Sequence, residues 1–297
     1  MPDFPDIYMN LVRPSAPVIG KIVSNASCMH GKSASFVNHT VIDIAGTPLA
    51  GKFRAGQSFG IIPPGVDERG KAHKVRLYSV ANPSWGEDGV VDHVSTTPKR
   101  LIDEFRAQRP GDDTREHSLF LGVASNYLCD LRPGDEVLVT GPQGKRFLLP
   151  AEVDQHNYLF IATGTGIAPF RGMALELLTG SKPSTSRIDL IMGTPYTSDL
   201  LYDDLFRQLA DKFENFNYHI AISRESDPQY VGDVVESNYD YFEPLLSDDA
   251  TLLYLCGLEG MQHGVFDALR KRNLADGYFV QKGTRLKPTT RAMLEVY

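Results

Sequence analysis

The pattern of apolar residues changes near Pro150 and divides the chain into two kinds of fold. Before that point, short apolar runs are separated by Gly, Pro, Asn and Asp, which is typical of strands joined by turns. After it, strand-like runs alternate with helix-like runs, as in a parallel sheet covered by helices. A chain of 297 residues is long enough for two domains. The sequence therefore predicts an antiparallel β-barrel over residues 1–150, followed by an α/β doubly wound parallel sheet over residues 151–297.

Individual elements follow from these runs. The predicted strands of the first half are Val18–Val23, Val41–Ile44, Ser58–Ile62, Val90–Val94 and Glu136–Val139. Residues 103–118 are polar and predict a long surface excursion. The predicted strands of the second half are Tyr158–Ala162, Arg187–Met192, Asn217–Ile222 and Thr251–Leu255, and its predicted helices are Phe170–Leu178, Leu201–Phe213 and Met261–Arg272.

Several protein classes are disfavoured by what the chain lacks. No run of 18 or more apolar residues occurs, so the sequence predicts no membrane span. The acidic start, Met1–Asp6, has no apolar stretch and is not expected to be a signal peptide. Three cysteines without a C-x-x-C motif argue against a four-thiolate iron–sulfur cluster and against a disulfide framework. A reducing, cytoplasmic location and the absence of a metal site are therefore expected.

Charge is distributed unevenly between the two halves. Residues 1–150 carry 17 Lys+Arg and 16 Asp+Glu, whereas residues 151–297 carry 13 and 21, so the net charge of −7 comes from the second half. The acidic total disfavours nucleic acid as a partner. Basic residues of the first half cluster in three places, which indicates either ordinary solvated charge or a surface that attracts an acidic partner: residues 69–76, 99–100 and 145–146.

One short run, Arg76-Leu77-Tyr78-Ser79, combines three side chains suited to a flavin dinucleotide. An arginine can fork onto a diphosphate, a tyrosine ring can stack on a planar heterocycle, and a serine hydroxyl can reach a ring nitrogen. In a strand, Arg76 and Tyr78 would lie on one face and Leu77 and Ser79 on the other. Taken alone, four residues in this order are more often a plain surface strand.

A glycine turn, Gly164–Gly166, follows the first predicted strand of the second half and opens a helix. Glycines allow a phosphate to approach the backbone, and a helix N-terminus offers free N–H groups. Pro169 suits the first turn of that helix. Taken alone, this segment is also compatible with a purely structural turn, since the G-x-G-x-x-G spacing is incomplete.

The order of these motifs resembles the plant-type ferredoxin–NADP reductase family, from about Arg54 to the last residue. The resemblance rests on the two motifs above together with further stretches in the same order: Gly56–Ser58, Gly122–Asn126, Asn126–Leu131, Thr140–Pro142, Ala162–Arg171, Ser223–Glu225, Tyr254–Gly257, Cys256–Met261 and Leu294–Tyr297. It implies an enzyme that uses FAD and NADP(H).

The resemblance also implies roles for residues around the FAD. Arg76 matches the pyrophosphate ligand, Tyr78 the ring stacked on the isoalloxazine, and Ser79 the hydroxyl near its N5, with Leu77 in the same motif. Two further segments match those that line the FAD: Thr97, Pro98 and Lys99, and Gly122, Val123, Ala124 and Ser125. The tyrosine expected to stack on the adenine is missing near Asp103, and Phe105 is a candidate substitute.

On the nicotinamide side the resemblance implies a second set of roles. Thr165 matches a contact in the glycine turn, Ser223 and Arg224 the pair that takes the 2′-phosphate, and Tyr230 the ring on the adenine. Pro228-Gln229 replace the second basic residue usual before this tyrosine, which weakens the expected preference for NADPH. The implied catalytic residues are Ser79, Cys256, Glu295 and Tyr297, and Gly257 and Leu258 follow Cys256 in the cofactor-binding stretch.

Most of these residues also have simpler interpretations. By composition alone, Cys256 is a buried small side chain, Ser223-Arg224 a loop cap or ion pair, and Tyr297 a loosely held tail.

The implied reaction transfers hydride from NADPH to the flavin and then single electrons to an acidic ferredoxin or flavodoxin. Tyr297 has to move aside first, because both rings need the same face of the flavin. Docking is expected on the basic clusters, with Lys71, Lys74, Lys99 and Lys145 as residues to test. The alternatives are a reductase component serving an oxygenase and a non-enzymatic flavin-binding module.

Overall fold

The computed structural model describes residues 2–31, 33–104, 119–283 and 285–297. In the first half the strands are short and bounded by turns, as the apolar runs predict. The elements are β1 (Val18–Ser27), β2 (Asn38–Asp43), β3 (Ser58–Ile62), β4 (Arg76–Ser79), β5 (His93–Thr96), β6 (Ile102–Glu104), β7 (Leu119–Leu121), α1 (Val123–Asp130) and β8 (Glu136–Gln143).

Six of these strands form one antiparallel sheet in the order β4-β3-β8-β1-β2-β5. The two end strands also meet, because the Thr96 hydroxyl donates to the Ser79 carbonyl at 2.8 Å and the Ala81 amide donates to the Ser95 carbonyl at 2.8 Å. The strands therefore close into a barrel, whose interior holds apolar side chains from alternate positions: Ile22, Ile42, Phe59, Ile61, Val94 and Val139.

The predicted strand Val90–Val94 is wrong in its first half. Strand β5 begins only at His93, and the side chains of Val90 and Val91 are 43% and 51% exposed. Gly86 and Gly89 take positive φ angles, and a Cβ on Gly86 would lie 1.8 Å from the Val90 carbonyl oxygen. The glycines therefore impose a tight turn on the run of valines. Of the predicted surface excursion, 103–104 belong to β6, and 105–118 lie outside the described residues.

The second half alternates strands with helices, as predicted. Its elements are β9 (Asn157–Thr163), α2 (Ile167–Thr179), β10 (Ile188–Thr194), α3 (Asp203–Lys212), β11 (Phe216–Ile222), α4 (Val231–Ser237), α5 (Tyr239–Ser247), β12 (Thr251–Gly257), α6 (Glu259–Arg270), β13 (Phe279–Lys282), β14 (Arg285–Pro288) and β15 (Ala292–Val296).

Five of these strands form a parallel sheet in the order β11-β10-β9-β12-β15. The chain builds outward from β9 in one direction, through β10 and β11, and then in the other, through β12 and β15. This is the doubly wound arrangement, and it confirms the predicted fold class. Helices α4 and α5 were not predicted, and β13 and β14 form a separate antiparallel hairpin.

The two halves share an apolar core. Phe147, just after the barrel strands, lies 5.7 Å from the Phe170 ring and 5.4 Å from the Tyr254 ring. The Tyr254 hydroxyl donates to the Leu148 carbonyl at 2.7 Å. Rings from both halves thus pack into one cluster, which fixes how the barrel and the parallel sheet face each other. Across the described ranges, no helix has both the length and the apolar character needed to cross a bilayer.

Candidate functional site

A cavity of about 620 Å³ lies where the barrel meets the carboxyl ends of the parallel strands. In a doubly wound sheet, ligands bind at the point where the strand order reverses, here between β9 and β12. Walls come from both halves of the chain. The lining residues are Pro63, His73, Lys74, Arg76, Leu77, Tyr78, Ser79, Thr96, Thr97, Lys99, Leu101, Gly122, Val123, Ala124, Ser125, Thr165, Ala168, Cys256 and Tyr297.

Strand β4 forms one wall of the cavity. It pairs with β3 so that Ser79 lies opposite Ser58 and Arg76 opposite Ile61. Side chains alternate between the two faces of a strand, so only two of the four residues were expected on the cavity side. All four residues of β4 nevertheless line the cavity. In the described sheet order, β4 has a ladder partner, β3, on one long side, and its other side meets the end of β5 at Ser79.

The side chains of this wall differ in how firmly they are held. The Tyr78 ring is half-buried and packs against the barrel core, and burial raises the pKa of its hydroxyl. Arg76 is exposed, and its guanidinium donates to the Val75 carbonyl at 3.3 Å. The fixed ring of Tyr78 therefore lies near the exposed guanidinium of Arg76, which suits a ligand that has a planar group attached to a phosphate.

The second predicted segment lies on β5 and just beyond it. Thr97 and Lys99 line the cavity, whereas Pro98 does not: its ring is buried and its carbonyl accepts from the Asn38 amide at 3.0 Å. The Thr97 hydroxyl lies 2.6 Å from the Tyr202 hydroxyl of the other half.

The third predicted segment is the start of α1. All four of its residues, 122–125, line the cavity. Among the residues that the structure describes, no side chain caps this helix, so N–H groups of its first turn are available to a ligand. The Ser125 hydroxyl instead accepts from the Leu101 amide at 3.1 Å, which attaches the helix start to the chain after β5. The arrangement can accept an anionic group.

The opposite wall comes from the glycine turn and the end of β12. Gly164–Gly166 form a single 3₁₀ turn before α2, and Thr165 in this turn lines the cavity. A Cβ on Gly166 would lie 2.0 Å from the Cys256 carbonyl oxygen, so only glycine lets the turn approach β12 so closely.

Tyr297 is anchored at three points, in contrast to a loose tail, and at one of them its carbonyl accepts from the Glu259 amide at 3.0 Å. Its amide donates to the Gly257 carbonyl at 2.9 Å, and its hydroxyl lies 2.9 Å from the Thr165 hydroxyl. The side chain is nevertheless 65% exposed and lines the cavity. The ring is therefore positioned over the cavity by few contacts.

Three of the predicted catalytic residues converge from distant parts of the chain. Cys256 on β12 and Glu295 on β15 are register partners on neighbouring strands. The Ser79 hydroxyl donates to a carboxylate oxygen of Glu295 at 3.5 Å. Burial raises the pKa of Glu295 to about 7, although the hydrogen bond from Ser79 opposes this shift. Burial, and then the charge of Glu295, raise the pKa of the Cys256 thiol well above its ordinary value.

The remaining predicted residues lie outside this cavity. Ser223 and Arg224 follow β11, where their amides donate to the carbonyls of Thr194 and Pro195 at 3.0 and 2.9 Å. Tyr230, which precedes α4, has a side chain 68% exposed. These three residues belong to the carboxyl ends of β10 and β11, on the same edge of the sheet as the cavity.

Gly257 and Leu258 shape the chain at the carboxyl edge of the parallel sheet and do not line the cavity. Gly257 has a φ of +137°, and a Cβ there would lie 2.2 Å from the Thr163 hydroxyl oxygen. That hydroxyl accepts from the Leu258 amide at 2.9 Å. The pair thereby turns the chain from β12 into α6.

Some lining residues were not predicted as cofactor contacts. Pro63, His73 and Lys74 come from the long connection between β3 and β4, which carries no local signature of a binding segment. Thr96, Leu101 and Ala168 flank predicted segments and could have been found by extending them. Asp103 lies on β6, and the suggested substitute Phe105 lies outside the described residues.

Comparisons with known proteins agree with this arrangement. The family model for an oxidoreductase NAD-binding domain matches residues 160–267. The ferredoxin–NADP reductase of Spirulina sp is 36% identical, covering 89% of each chain. The root-type chloroplast isozyme of ferredoxin–NADP reductase from Nicotiana tabacum is 35% identical, covering 97% of this chain and 78% of its own. The solved ferredoxin–NADP⁺ reductase from Plasmodium falciparum has a TM-score of 0.74 at 26% identity, covering 98% of this chain and 100% of its own. These similarities span both sheets.

Proposed function

The chain belongs to the ferredoxin–NADP reductase family, and from this premise we propose that it is an FAD-dependent enzyme that moves electrons between NADP(H) and a ferredoxin or flavodoxin. The observation that carries the proposal is the cavity in which the wall of β4 faces Thr165, Cys256 and Tyr297. Residues 1–150 are the proposed FAD-binding domain and residues 151–297 the proposed NADP(H)-binding domain.

The residues around the cavity fit an FAD. The Tyr78 ring packs against the barrel core, and the exposed Arg76 offers a guanidinium at the cavity wall. The uncapped start of α1 offers N–H groups to a phosphate oxygen. In our proposal Tyr78 stacks on the isoalloxazine, Arg76 and residues 122–125 hold the pyrophosphate, and residues 97–99 line the remainder.

The NADP(H) contacts of the proposal follow the carboxyl edge of the parallel sheet. Thr165, in the turn before α2, contacts the nicotinamide nucleotide, Cys256 lies beside it in the cavity, and Gly257 and Leu258 bind it from the rim. At the other end Ser223 and Arg224 take the 2′-phosphate, since their backbone is fixed to the loop after β10 and Arg224 is exposed. The exposed ring of Tyr230 stacks on the adenine.

Proton handling is assigned to Ser79 and Glu295. Bound FAD supplies the exchange between a hydride and single electrons. A carboxyl group with a pKa of about 7 can give or take a proton at neutral pH. The 3.5 Å hydrogen bond from Ser79 is long enough to be weak, so the hydroxyl can turn to a ligand atom in the cavity while Glu295 keeps the proton balance.

Tyr297 acts as a cover in this proposal. Its backbone amide stays bound to Gly257 while its ring is held by the hydroxyl contact to Thr165. Breaking that contact frees the ring to swing, which opens the wall beside Thr165 and Cys256 to a nicotinamide.

An acidic ferredoxin or flavodoxin is proposed to dock on the basic clusters at 69–76, 99–100 and 145–146. Lys74, Arg76 and Lys99 are exposed and line the cavity, so a partner that covers them comes close to the cavity. Lys71 and Lys145 are exposed as well. Arg100 contributes less to this surface, because it pairs with Asp130 at 2.5 Å. A cytoplasmic location stays a prediction.

One experiment tests the proposed function. The purified protein should be yellow, and NADPH should bleach the flavin absorbance and drive reduction of a ferredoxin or a flavodoxin. NADH should do so with lower kcat/KM, because it lacks the 2′-phosphate assigned to Ser223 and Arg224. A colourless, stably folded protein, or a yellow one that NADPH does not bleach, would refute the proposal.

A further inference from the structure

A buried ion pair joins the barrel to the parallel sheet. Arg171, in the second turn of α2, donates from Nη2 to Glu87 Oε1 at 2.6 Å and from Nη1 to Glu87 Oε2 at 2.9 Å. The side chains of Arg171 and Glu87 are only 13% and 6% exposed. Two parallel hydrogen bonds of this kind fix both the distance and the rotation of the partners.

Glu87 has further contacts within the barrel half. Glu87 also accepts from the Ser95 hydroxyl at 2.6 Å and lies 3.4 Å from His39 Nε2. Burial alone would raise the pKa of Glu87, but the paired hydrogen bonds from Arg171 and the nearby His39 ring hold it well below its ordinary value. Glu87 is therefore charged, and the pair is a buried ion pair rather than a neutral contact.

The pair is attached directly to the two walls of the cavity. Arg171 Nη1 also donates to the carbonyl of Ala81, two residues beyond Ser79, at 2.9 Å. On the other side, α2 begins right after the turn that contains Thr165. Any shift of Arg171 along or around its helix axis therefore changes the gap between Ser79 and Thr165.

The backbones approach closely at the same place. A Cβ on Gly172 would lie 2.5 Å from the carbonyl oxygen of Asn82. One turn further on, Glu176 accepts from the Ser84 amide at 2.7 Å and from its hydroxyl at 2.6 Å. Helix α2 thus touches the segment after β4 along two turns, and Arg171 lies at the end nearest the cavity.

A second connection runs through Tyr202, whose ring lies 5.2 Å from the Arg171 guanidinium. Its hydroxyl is 2.8 Å from His39 Nδ1 and 2.6 Å from the Thr97 hydroxyl, and Thr97 lines the cavity. The network around Arg171 therefore reaches both cavity-lining strands of the barrel, β4 and β5.

We propose that Arg171 and Glu87 are positioning residues for hydride transfer, because their paired contact sets the spacing between the flavin-lining strand β4 and the nicotinamide-side turn at Thr165. The inference rests on the proposed function. A buried ion pair is weak evidence for stability, because apolar replacement is often neutral, whereas its directional contacts hold one geometry. Hydride transfer is sensitive to such geometry, since a misplacement of about 1 Å can cost about 100-fold in rate.

The primary test uses Arg171→Lys, which keeps the charge but loses the two-pronged contact. Stopped-flow bleaching of the flavin at saturating NADPH should slow by about 10- to 100-fold. The dissociation constant for NADP⁺ should change by less than about threefold, and photoreduced enzyme should pass electrons to ferricyanide at the original rate. The long-wavelength absorbance of the flavin–nicotinamide complex should weaken, which a merely structural role would not require.

Two further variants keep the test decisive. Arg187→Lys is the matched control: Arg187 Nε pairs with buried Asp189 at 2.8 Å in the same parallel sheet, but at the amino-terminal end of β10, away from the cavity. Its hydride rate should equal that of the original protein. If Arg171→Lys fails to fold, the double variant Glu87→Leu/Arg171→Met removes both charges together and should fold, yet remain slow in hydride transfer.

The possible results distinguish a failure of the proposed function from a failure of the positioning role. An original protein that lacks flavin or is not bleached by NADPH overturns the proposed function itself. An active original protein with an unchanged hydride rate in folded Arg171→Lys or in the double variant overturns only the positioning role. So does a loss that affects hydride and ferricyanide steps equally, since that pattern indicates general damage to the FAD site.

Discussion

Ser79 and Glu295 are 216 positions apart in the chain, and the serine hydroxyl lies 3.5 Å from a carboxylate oxygen of the glutamate. Ser79 belongs to the barrel and Glu295 to the last strand of the parallel sheet. Their contact means that the proposed proton-handling pair exists only when both halves of the chain are in place.

Replacing Ser79 tests whether its hydroxyl takes part in the reaction. Ser79→Ala should keep FAD bound, because Arg76 and Tyr78 remain, but should slow flavin bleaching by NADPH by about 10-fold or more. Ser58→Ala is the matched control, since Ser58 lies opposite Ser79 in the ladder and does not line the cavity. An unchanged bleaching rate in Ser79→Ala would remove the hydroxyl from the mechanism.

Removing the ring of Tyr297 should relax coenzyme choice. Tyr297→Ser opens the space beside Thr165 and Cys256, so kcat/KM for NADH should rise by about 10-fold or more relative to NADPH. Tyr297→Phe keeps the ring, loses only the 2.9 Å contact to Thr165, and should stay selective. Steady-state kinetics with both coenzymes decides the question, and flat NADH turnover in Tyr297→Ser would contradict the cover role.

The raised pKa of Glu295 predicts a specific pH dependence of stability. Its folded pKa of about 7 exceeds the ordinary value of 4.5, so the folded state keeps a proton that the unfolded state has released. The contribution of Glu295 to the free energy of unfolding is fully present below about pH 4.5 and is lost as the pH rises through about 7. The loss is on the order of 2 kcal/mol for a partly exposed group.

In Glu295→Gln, the free energy of unfolding should therefore lack the part of its decline with rising pH that this carboxyl group causes. Urea unfolding of both proteins between about pH 4.5 and 8 measures it, and Glu214→Gln, at an exposed position, should run parallel to the original protein. Parallel curves for the original protein and Glu295→Gln would show that the carboxyl titrates normally.

Two glycines near the end of β12 should respond in opposite ways to alanine. Gly257→Ala places a Cβ 2.2 Å from the Thr163 hydroxyl at a φ of +137° and should cost at least about 2 kcal/mol of unfolding free energy. Gly260→Ala, in open space within α6, should gain about 0.5 kcal/mol. Denaturant unfolding measures both, and equal effects would contradict the close approach seen at Gly257.

Reversing one charge beside the cavity tests the docking surface. Lys74→Glu should raise KM for an acidic ferredoxin by about 10-fold at low salt, with ferricyanide reduction by NADPH unchanged. The difference should shrink as salt is added, because the attraction is screened. Lys212→Glu, on α3, is the control. A ferredoxin KM that stays the same in Lys74→Glu would exclude this face.

The parts of the fold and site that were predictable are local in sequence. The apolar runs Ser58–Ile62 and Thr251–Leu255 predict their strands directly, and the glycine turn Gly164–Gly166 predicts the start of α2. Turn geometry is less visible: the glycines at 86 and 89 shortened β5, although the valines beside them have a high preference for strands.

Contacts between distant segments could not be predicted from residue types alone. The resemblance placed Ser79 and Glu295 in one site, but no pattern connects Glu87 with Arg171, which are 84 positions apart. His73 and Lys74 reach the cavity only through the course of a long connection without periodicity. Such pairings are decided when the two halves pack together.

The ion pair of Glu87 and Arg171 limits how far the two halves can be treated as exchangeable modules. A barrel expressed without its partner would leave Glu87 without the guanidinium that offsets its burial. A hybrid that joins this barrel to a nucleotide-binding half from elsewhere must supply an arginine at the position of Arg171. Recombination at the boundary near Pro150 is therefore constrained by a residue 21 positions further on.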